Sequence, residues 1–305
     1  MPRPPFPRAL LAPRHWPAWL GVGAIWLVAR LPQRALLGLG HVLGALIRHY
    51  PSKRRTIAAA NIALCFPELD SAAQAALLRA HLSDLGLMMT EFALGWLASD
   101  RRIAHVPVTI EGLEHLAAAK AQGRGVLLVG GHFSHLELCA RLVSNRLRIA
   151  GMYRRMDSAV FEWVVLRARL HYAAAMFDKD DLRGSIRYLR AGGTLWYAPD
   201  QDMRSKDSVF APFFGVPAAT ITATHHLARL SGALVVPFFH RRLPGAGGYA
   251  IRLDAPLPDF PGSDAAADTA RVNAAIEAMV RAAPEQYLWV HKRFKTRPSG
   301  APKVY

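Results

Sequence analysis

The order of apolar and polar positions divides the chain into a long helix and an alternating region. Between residues 71 and 98 apolar side chains recur every three or four positions, which predicts an amphipathic helix. After Pro107, short runs rich in β-branched and aromatic residues alternate with helical stretches. The strand runs are VTIEG, GVLLVG, LRIAGMY, GTLWYAP, ALVVPFFH and YAIRLDAPL, and the helical stretches are 134–145, 158–173, 180–190, 219–231 and 267–282. This alternation predicts an α/β fold, with helices on both faces of a sheet.

The first fifty residues contain two apolar runs, 16–29 and 35–47. The first run is uncharged but shorter than the ~20 residues that a spanning helix needs. A signal peptide is one interpretation, although no convincing small-residue cleavage site follows. An uncleaved anchor with its flanking arginines on the cytoplasmic side is favoured, and a hairpin lying in the membrane interface fits equally well. We therefore predict a membrane anchor over residues 1–50 and a catalytic domain over residues 51–305, and leave the geometry of attachment open.

Charge along the chain indicates anionic partners. Lys and Arg number 38 against 22 Asp and Glu, which gives a net charge of +16, and no acidic residue precedes Glu68. The basic N-terminal segment is also apolar, which is untypical of a nucleic-acid-binding arm. The two cysteines, Cys65 and Cys139, have apolar neighbours. They predict buried thiols in a reducing compartment and no disulfide framework.

The segment GGHFSHLELCA, residues 130–140, carries the first candidate chemistry. On one ideal helix His132 and Glu137 would lie about 140° apart and could not touch. If the chain turns after the strand GVLLVG and the helix begins near Ser134, Glu137 can reach back to His132. The two residues would then form an oriented base, with the carboxylate on one ring nitrogen and the other nitrogen taking a proton from a hydroxyl.

Three simpler interpretations of the same segment remain. Ser134 and Glu137 have the spacing of a capping box, in which Glu137 only completes the helix start. His132, His135 and Glu137 are possible metal ligands, although the HExxH arrangement and paired cysteines are absent. A histidine after a strand is also often a turn residue without a chemical role.

Polar residues also follow other predicted strands. Arg154 and Arg155 follow LRIAGMY, Asp200 follows GTLWYAP, and 240–242 (His-Arg-Arg) ends ALVVPFFH. Ligands of open α/β sheets bind at the carboxyl ends of the strands. A base, cations and a carboxylate at one edge suit acyl transfer to an acceptor that carries phosphates.

Several longer motifs resemble those of one known family. These are RRTIAAANIALCFPEL, GGHFSHLELCAR, DLRGSIRYLRAGGTLWYAPDQD, SVFAPFFGVPAATIT and APEQYLWVHKRFKTRP. They closely resemble the late acyltransferases of lipid A biosynthesis over nearly the whole chain. HFSHLEL looks like the lauroyl-type branch, since the myristoyl-type branch has Asp in place of this Glu. The family belongs to the acyltransferases with a His-x4-Asp/Glu motif, which include the glycerol-phosphate enzymes.

The resemblance implies a reaction, a location and a fold. An acyl group leaves the thioester of acyl carrier protein and joins the 3-hydroxyl of an acyl chain on the Kdo-bearing lipid A precursor. Acyl carrier protein, the lipid precursor and the bacterial inner membrane are the implied partners, with the catalytic domain on the cytoplasmic side. No metal, no other cofactor and no covalent acyl-enzyme are implied. The implied fold is a central mixed sheet flanked by helices, as in glycerolipid acyltransferases.

The resemblance also suggests roles for individual residues. His132 is the base and Glu137 orients it. Arg169 matches a functional position and is assigned to oxyanion or phosphate contact, and Asp200 to orienting the acceptor or an arginine. The amides near Gly131 are candidate oxyanion donors, and Arg154 belongs to a block that resembles one in the glycerol-phosphate enzymes. The basic tail is expected to face the phosphates of the acceptor or the acidic carrier protein, through His291, Lys292, Arg293, Lys295 and Arg297.

Three alternative functions predict different behaviour. A lysophosphatidate-type glycerolipid acyltransferase would use the same base with a smaller acceptor. A metal-dependent hydrolase would lose activity on chelation. A basic nucleic-acid-binding protein would show DNA affinity that falls steeply with salt, but no nucleic-acid motif is recognised.

Overall fold

The computed structural model of the protein describes residues 1–305 except 145, 204 and 246. Nine strands are present in the described chain: β1 (Val108–Glu111), β2 (Val126–Val129), β3 (Ala150–Tyr153), β4 (Met176–Asp178), β5 (Thr194–Tyr197), β6 (Ser208–Phe213), β7 (Val216–Ile221), β8 (Leu234–Arg242) and β9 (Tyr249–Leu253). Seven form one sheet in the order β1-β9-β8-β2-β5-β3-β4, and β6 pairs with β7 separately. Only the β8–β9 pairing in the large sheet is antiparallel, so the sheet is mixed, as predicted.

Helices precede the sheet and cover it. The α-helices in the described chain are α1 (Trp16–Val28), α2 (Gln33–His49), α3 (Lys53–Cys65), α4 (Ser71–Leu97), α5 (Asp100–Ala104), α6 (Leu113–Ala121), α7 (Leu136–Ser144), α8 (Ala159–Tyr172), α9 (Leu182–Arg190), α10 (Ala223–Ser231) and α11 (Ala265–Ala282). Short 3₁₀ turns lie at Arg8–Leu11, Pro13–His15 and Pro284–Gln286. The α/β class predicted from the alternating pattern is confirmed.

Strand β2 is buried on both faces and separates two apolar cores. Leu127 and Val129 pack into one core with residues of α3, α10 and α11, while Val126 and Leu128 pack into the other with residues of α7. Successive side chains of a strand point to opposite faces, so a strand inside a two-sided α/β sheet is continuously apolar. This is why GVLLVG shows no polar alternation.

Helix α2 packs closely on the long helix α4 through glycines. A Cβ on Gly44 would lie 2.4 Å from Ser83 O, and one on Gly86 would lie 2.2 Å from Gly40 O. Side chains larger than hydrogen at these positions would push the two helices apart. The glycines of the second apolar run therefore bring α2 against the helix that reaches the sheet.

All six predicted strands are confirmed, and β4, β6 and β7 were not predicted. The helix predicted over 219–231 is wrong at its start, because residues 219–221 belong to β7 and pair with β6. That pairing is non-local, so a helical periodicity within the segment does not reveal it. The last residue of the helix predicted over 134–145 lies outside the described residues.

The β6–β7 hairpin turns through Phe214 and Gly215. Both have positive φ, 52° and 72°, which is the backbone of the two-residue turn that matches the twist of paired strands. The Phe214 side chain is buried against Phe66, with ring centroids 5.0 Å apart. An apolar contact thus holds a non-glycine residue in the left-handed region.

The two N-terminal apolar runs are helical and correspond to α1 and α2. Among the described residues, no helix has both the length and the hydropathy needed to cross a bilayer. Membrane attachment through residues 1–50 and the domain boundary at residue 50 stay predictions.

Candidate active site

His132 lies at the carboxyl edge of the sheet, three residues after the end of β2. Gly130 begins the turn, and its amide donates to Tyr197 O at 3.2 Å. A Cβ on Gly130 would lie 2.7 Å from Phe238 O, so only glycine allows the turn to approach β8 this closely. The turn places the His132 ring beside both neighbours of β2 in the sheet.

The carboxylate that holds His132 is Asp200. His132 Nδ1 lies 2.6 Å from Asp200 Oδ1, and the backbone amide of His132 donates to Asp200 Oδ2 at 2.8 Å. Strands β2 and β5 are parallel neighbours with Val129 paired to Tyr197, so the residues three positions beyond these partners meet. Asp200 is only 2% exposed, while the His132 side chain is 28% exposed. Because Nδ1 is bound to Asp200, Nε2 is the ring nitrogen left for a ligand.

Neighbouring charges shift the pKa values of His132 and Asp200 in opposite directions. Burial lowers the pKa of His132, but the Asp200 charge, the hydrogen bond to Asp200 and the Glu137 charge outweigh burial, so that the pKa is raised above its ordinary value. Burial raises the pKa of Asp200, but the His132 charge and the hydrogen bonds from His132 outweigh burial and lower the pKa to about 2. Asp200 therefore stays ionised at neutral pH and strengthens the basicity of His132.

Glu137 has other partners than the one predicted. Its Oε2 accepts from Trp96 Nε1 at 2.8 Å and from Arg169 Nε at 3.2 Å, and its Oε1 accepts from Arg169 Nη2. The predicted hydrogen bond between Glu137 and the His132 ring is wrong, since the hydrogen bonds of the described residues include none between them. Helix α7 begins at Leu136, which directs Glu137 toward α4 and α8.

Asp200 and Arg169 have partners that the sequence did not predict. Asp200 holds His132. The predicted roles of both residues toward substrate stay predictions. Arg169 forms an ion pair with Glu137, and the two side chains are 18% and 12% exposed. Burial lowers the pKa of Arg169, but Glu137 raises it more, and the Arg169 charge in turn holds the pKa of Glu137 below its usual value despite burial. The pair is thus a fixed salt bridge whose carboxylate charge acts on His132.

An apolar cavity of about 240 Å³ lies beside His132. It is enclosed mainly by hydrophobic side chains of α7, β3 and α8 and the segments that follow them. The hydrophobic residues include Leu136, Ala140, Val143, Ile149, Met152, Tyr172, Met176 and Phe238, and the polar ones include His132, Glu137, Arg154 and Arg169. A narrow hydrocarbon cavity next to a base suits a substrate with an apolar chain.

Two other predicted residues lie near His132. Arg154 lines the cavity, its side chain is 73% exposed, and its Nη2 lies 3.6 Å from Asp157 Oδ1. Gly131 lies in the turn before His132, where a Cβ would contact Ile276 at 3.1 Å and Phe133 at 3.3 Å. The structure therefore brings His132, Asp200, Gly131 and Arg154 together.

Other expected cations do not line this cavity. Strand β8 continues to Arg242, whose guanidinium is bound to Asp84 and Glu91. In the basic tail Arg293 is 2% exposed and donates to Ala219 O and Thr220 Oγ1, both at 2.7 Å. Buried acceptors hold both guanidinium groups, which argues against the expected contact of Arg242 and Arg293 with substrate.

Two tryptophans of the site were missed at the sequence level. Trp196 lines the cavity, with its ring centroid 6.2 Å from that of His132, and Trp96 donates to Glu137. Strand alternation gives a signal for Trp196, since Leu195 beside it points into the core on the opposite face. No local pattern indicates Trp96, whose contact spans 41 positions.

The sequence of the chain matches one known protein family. The family described as "Bacterial lipid A biosynthesis acyltransferase" matches residues 3–296. The chain belongs to that family. This acyltransferase is 42% identical to the lipid A biosynthesis lauroyltransferase of Escherichia coli (strain K12), over 99% of each chain. It is 37% identical to the palmitoleoyltransferase of the same organism, over 100% of this chain and 99% of that one.

A solved structure gives a weaker likeness. The 1-acyl-sn-glycerophosphate acyltransferase of Thermotoga maritima is 16% identical with a TM-score of 0.38, covering 75% of this chain and 94% of that one. This value is too low to add to the family assignment. The family match confirms the resemblance predicted from the motifs, and makes the protein an acyltransferase of lipid A biosynthesis.

Proposed function

We propose that this acyltransferase moves an acyl group from acyl carrier protein to a hydroxyl on an acyl chain of the Kdo-bearing lipid A precursor. The observation that carries the proposal is the ring of His132, bound at Nδ1 to a buried carboxylate and lining an apolar cavity. Membership of the family supports the lipid A precursor as acceptor. The carrier-protein donor rests on the resemblance of the sequence motifs.

His132 would act as a general base through Nε2. It takes the proton of the acceptor hydroxyl as that oxygen bonds to the thioester carbonyl carbon and the carbonyl electron pair moves to oxygen. When the intermediate collapses, the carbon–sulfur bond breaks and the departing thiolate takes the proton from His132. Asp200 fixes the Nδ1–H tautomer and stabilises the imidazolium. A positioned base of this kind contributes roughly 10²–10⁴-fold to the rate.

The oxyanion and the donor phosphate need separate contacts. The Gly131 amide, next to the base in the same turn, is our candidate donor to the oxyanion. Arg169 would act through Glu137, which it holds in place, rather than on the substrate. Arg154 is exposed beside the cavity, and we assign it to an anionic group of the donor or acceptor.

A lauroyl-length acyl group is the donor we propose. The motif HFSHLEL supports it, as does the identity of 42% to the E. coli lauroyltransferase against 29% to the myristoyltransferase. Donors from ten to sixteen carbons, tested as competing acyl carrier protein thioesters, give the chain length directly. The proposal requires the twelve-carbon donor to have the highest kcat/KM.

An acceptor assay tests the function itself. Purified protein is given lauroyl-acyl carrier protein with either the Kdo-bearing lipid A precursor or lysophosphatidate, and products are identified by mass spectrometry. We expect acylation of the lipid A precursor, with little transfer to lysophosphatidate. Preference for lysophosphatidate would establish the glycerolipid alternative, and release of free fatty acid alone would indicate a hydrolase.

We also propose that the N-terminal helices attach the enzyme to the cytoplasmic face of the bacterial inner membrane. Helix α1 is apolar all round and contains no buried residue. Its exposed side chains include Trp16 at 60%, Leu20 at 76% and Leu27 at 61%. A helix this apolar is normally covered, and a position within the lipid interface would cover it.

Vesicle binding tests this attachment. The double substitution of Leu20 and Leu27 to Glu is expected to weaken sedimentation with anionic vesicles by at least about tenfold, because two apolar side chains lose their burial. The control is Leu230→Glu, since Leu230 is 51% exposed on α10. Equal vesicle binding by both variants would contradict an N-terminal attachment.

A further inference from the structure

A second group of chemically active side chains lies in the core behind the catalytic turn. His135, Cys139 and His240 each offer one ligand atom, and these three atoms lie within 4.8 Å of one another. The Cys139 amide donates to His135 O at 3.0 Å, so the first two ligands are one helical turn apart. His240 comes from β8, and its ring is perpendicular to that of His135 with centroids 4.7 Å apart.

Three of the four histidine ring nitrogens in this group have no hydrogen bond to the described chain. Within the described chain, His135 Nε2 and both His240 ring nitrogens are buried without a hydrogen bond. His135, Cys139 and His240 are 0%, 0% and 1% exposed. A neutral imidazole always carries one N–H donor and one acceptor, and native interiors rarely leave both unpaired. His240 therefore needs a ligand that the protein chain does not supply.

His135 also has the outer contact that metal-binding histidines use. Its Nδ1 lies 3.4 Å from Ser134 Oγ, and Ser134 Oγ in turn lies 3.4 Å from a guanidinium nitrogen of Arg242. Such a contact on one ring nitrogen orients the other nitrogen toward a metal. This leaves His135 Nε2, the unpartnered atom, as the ligand.

We propose that His135, Cys139 and His240 bind one zinc ion in the core of this protein. Nitrogen and sulfur ligands select zinc over hard cations such as magnesium and calcium. On binding, the Cys139 thiol releases its proton to solvent and no electron transfer occurs. A site with three protein ligands completes its coordination with a water molecule. The ion would link the start of α7, which carries Glu137, to β8, and would take no part in the acyl-transfer step.

Metal content and cobalt spectroscopy test the site without relying on activity. Full-length protein purified without chelators is expected to contain about one zinc per chain. Replacement with Co²⁺ is expected to give a thiolate-to-cobalt charge-transfer band and the visible bands of a tetrahedral ion. Absence of both zinc and the charge-transfer band from the folded wild-type protein overturns the proposal, with no variant needed.

The two cysteines provide a matched pair of variants. Both Cys65 and Cys139 are free and buried, but Cys65 lies on α3 and packs in the other of the two apolar cores that β2 separates. Cys139→Ala is expected to abolish the charge-transfer band and weaken zinc binding by more than the roughly 10–100-fold that losing an outer-shell partner costs. Cys65→Ala is expected to keep both. Loss of the band in the Cys65 variant alone, or its persistence in the Cys139 variant, contradicts the assignment.

Discussion

Two histidine–aspartate pairs in this chain have nearly the same contact and different surroundings. His132 Nδ1 lies 2.6 Å from Asp200 Oδ1, and His225 Nδ1 lies 2.8 Å from Asp268 Oδ2. The first pair is at the carboxyl edge of the sheet, with the histidine side chain 28% exposed beside a cavity. The second pair joins α10 to α11, and both its side chains are 3% exposed.

We infer that access of a substrate to the second ring nitrogen distinguishes the proposed base, His132, from His225, whose contact is structural. Asp268 also accepts from the Gly262 amide at 2.8 Å and from Arg271 at 3.2 Å, so the His225–Asp268 pair belongs to a network that links helices. Asp200 binds both the ring and the backbone amide of His132. The His132–Asp200 pair is thus arranged to orient the His132 imidazole toward the cavity.

The largest expected effect separates the two histidines. His132→Ala is expected to lower the transfer rate by at least about 10²–10⁴-fold, because the proposed base is removed. His225→Ala is expected to lower the thermal unfolding midpoint, since a buried hydrogen bond is lost, while folded enzyme keeps its rate. The measurement is the rate per folded molecule alongside a melting curve. Near-normal turnover by the His132 variant would contradict the assignment of His132 as the base.

Replacing the two aspartates is also expected to affect kcat to very different extents. Asp200→Asn is expected to cost on the order of 10²–10⁴-fold in kcat, because an amide fixes neither the tautomer nor the imidazolium charge. Asp268→Asn is expected to leave kcat of the folded enzyme within about threefold. Equal losses of kcat in both variants would show that kcat does not depend on the position of the histidine–aspartate contact beside the cavity.

A smaller effect on rate and a larger effect on stability are expected at Glu137. Glu137→Gln leaves the Arg169 guanidinium without its ion pair in a mostly buried position, which costs up to about 3–5 kcal/mol of unfolding free energy. Denaturant unfolding measures this loss. Adding Arg169→Gln is expected to recover part of the loss, because no unpaired charge then remains. If the double variant lost more unfolding free energy than the two single variants lose together, the role of the ion pair would be contradicted.

The sequence allowed prediction of the sheet and of His132 because their signals are local. The apolar run of β2 and the two glycines after it place a histidine at a strand end without further information. The partner of His132 depends on which strand neighbours β2, and nothing within β2 or β5 encodes that choice. Glu137 was assigned to His132 because it lies close in sequence, although its own helix turns it toward Trp96 and Arg169.

The cationic residues illustrate the same limit. The sequence places Arg242 at a strand end, but β8 continues through this position to pair with β9. Its ligands Asp84 and Glu91 come from α4, more than 150 positions earlier. Long-range pairing of this kind decides whether a charged side chain is buried or faces substrate, and a single sequence does not contain it.

The pH dependence of kcat/KM tests most directly that Asp200, and not Glu137, holds the base. The Asp200 charge raises the pKa of His132 more than the Glu137 charge does, and the rate falls on the acid side as His132 takes up a proton. Removing either charge lowers that pKa, so the acid limb of the profile moves to lower pH. The structure predicts a clearly larger shift for Asp200→Asn than for Glu137→Gln. A larger shift in the Glu137 variant, with the acid limb of the Asp200 variant unmoved, would contradict the account.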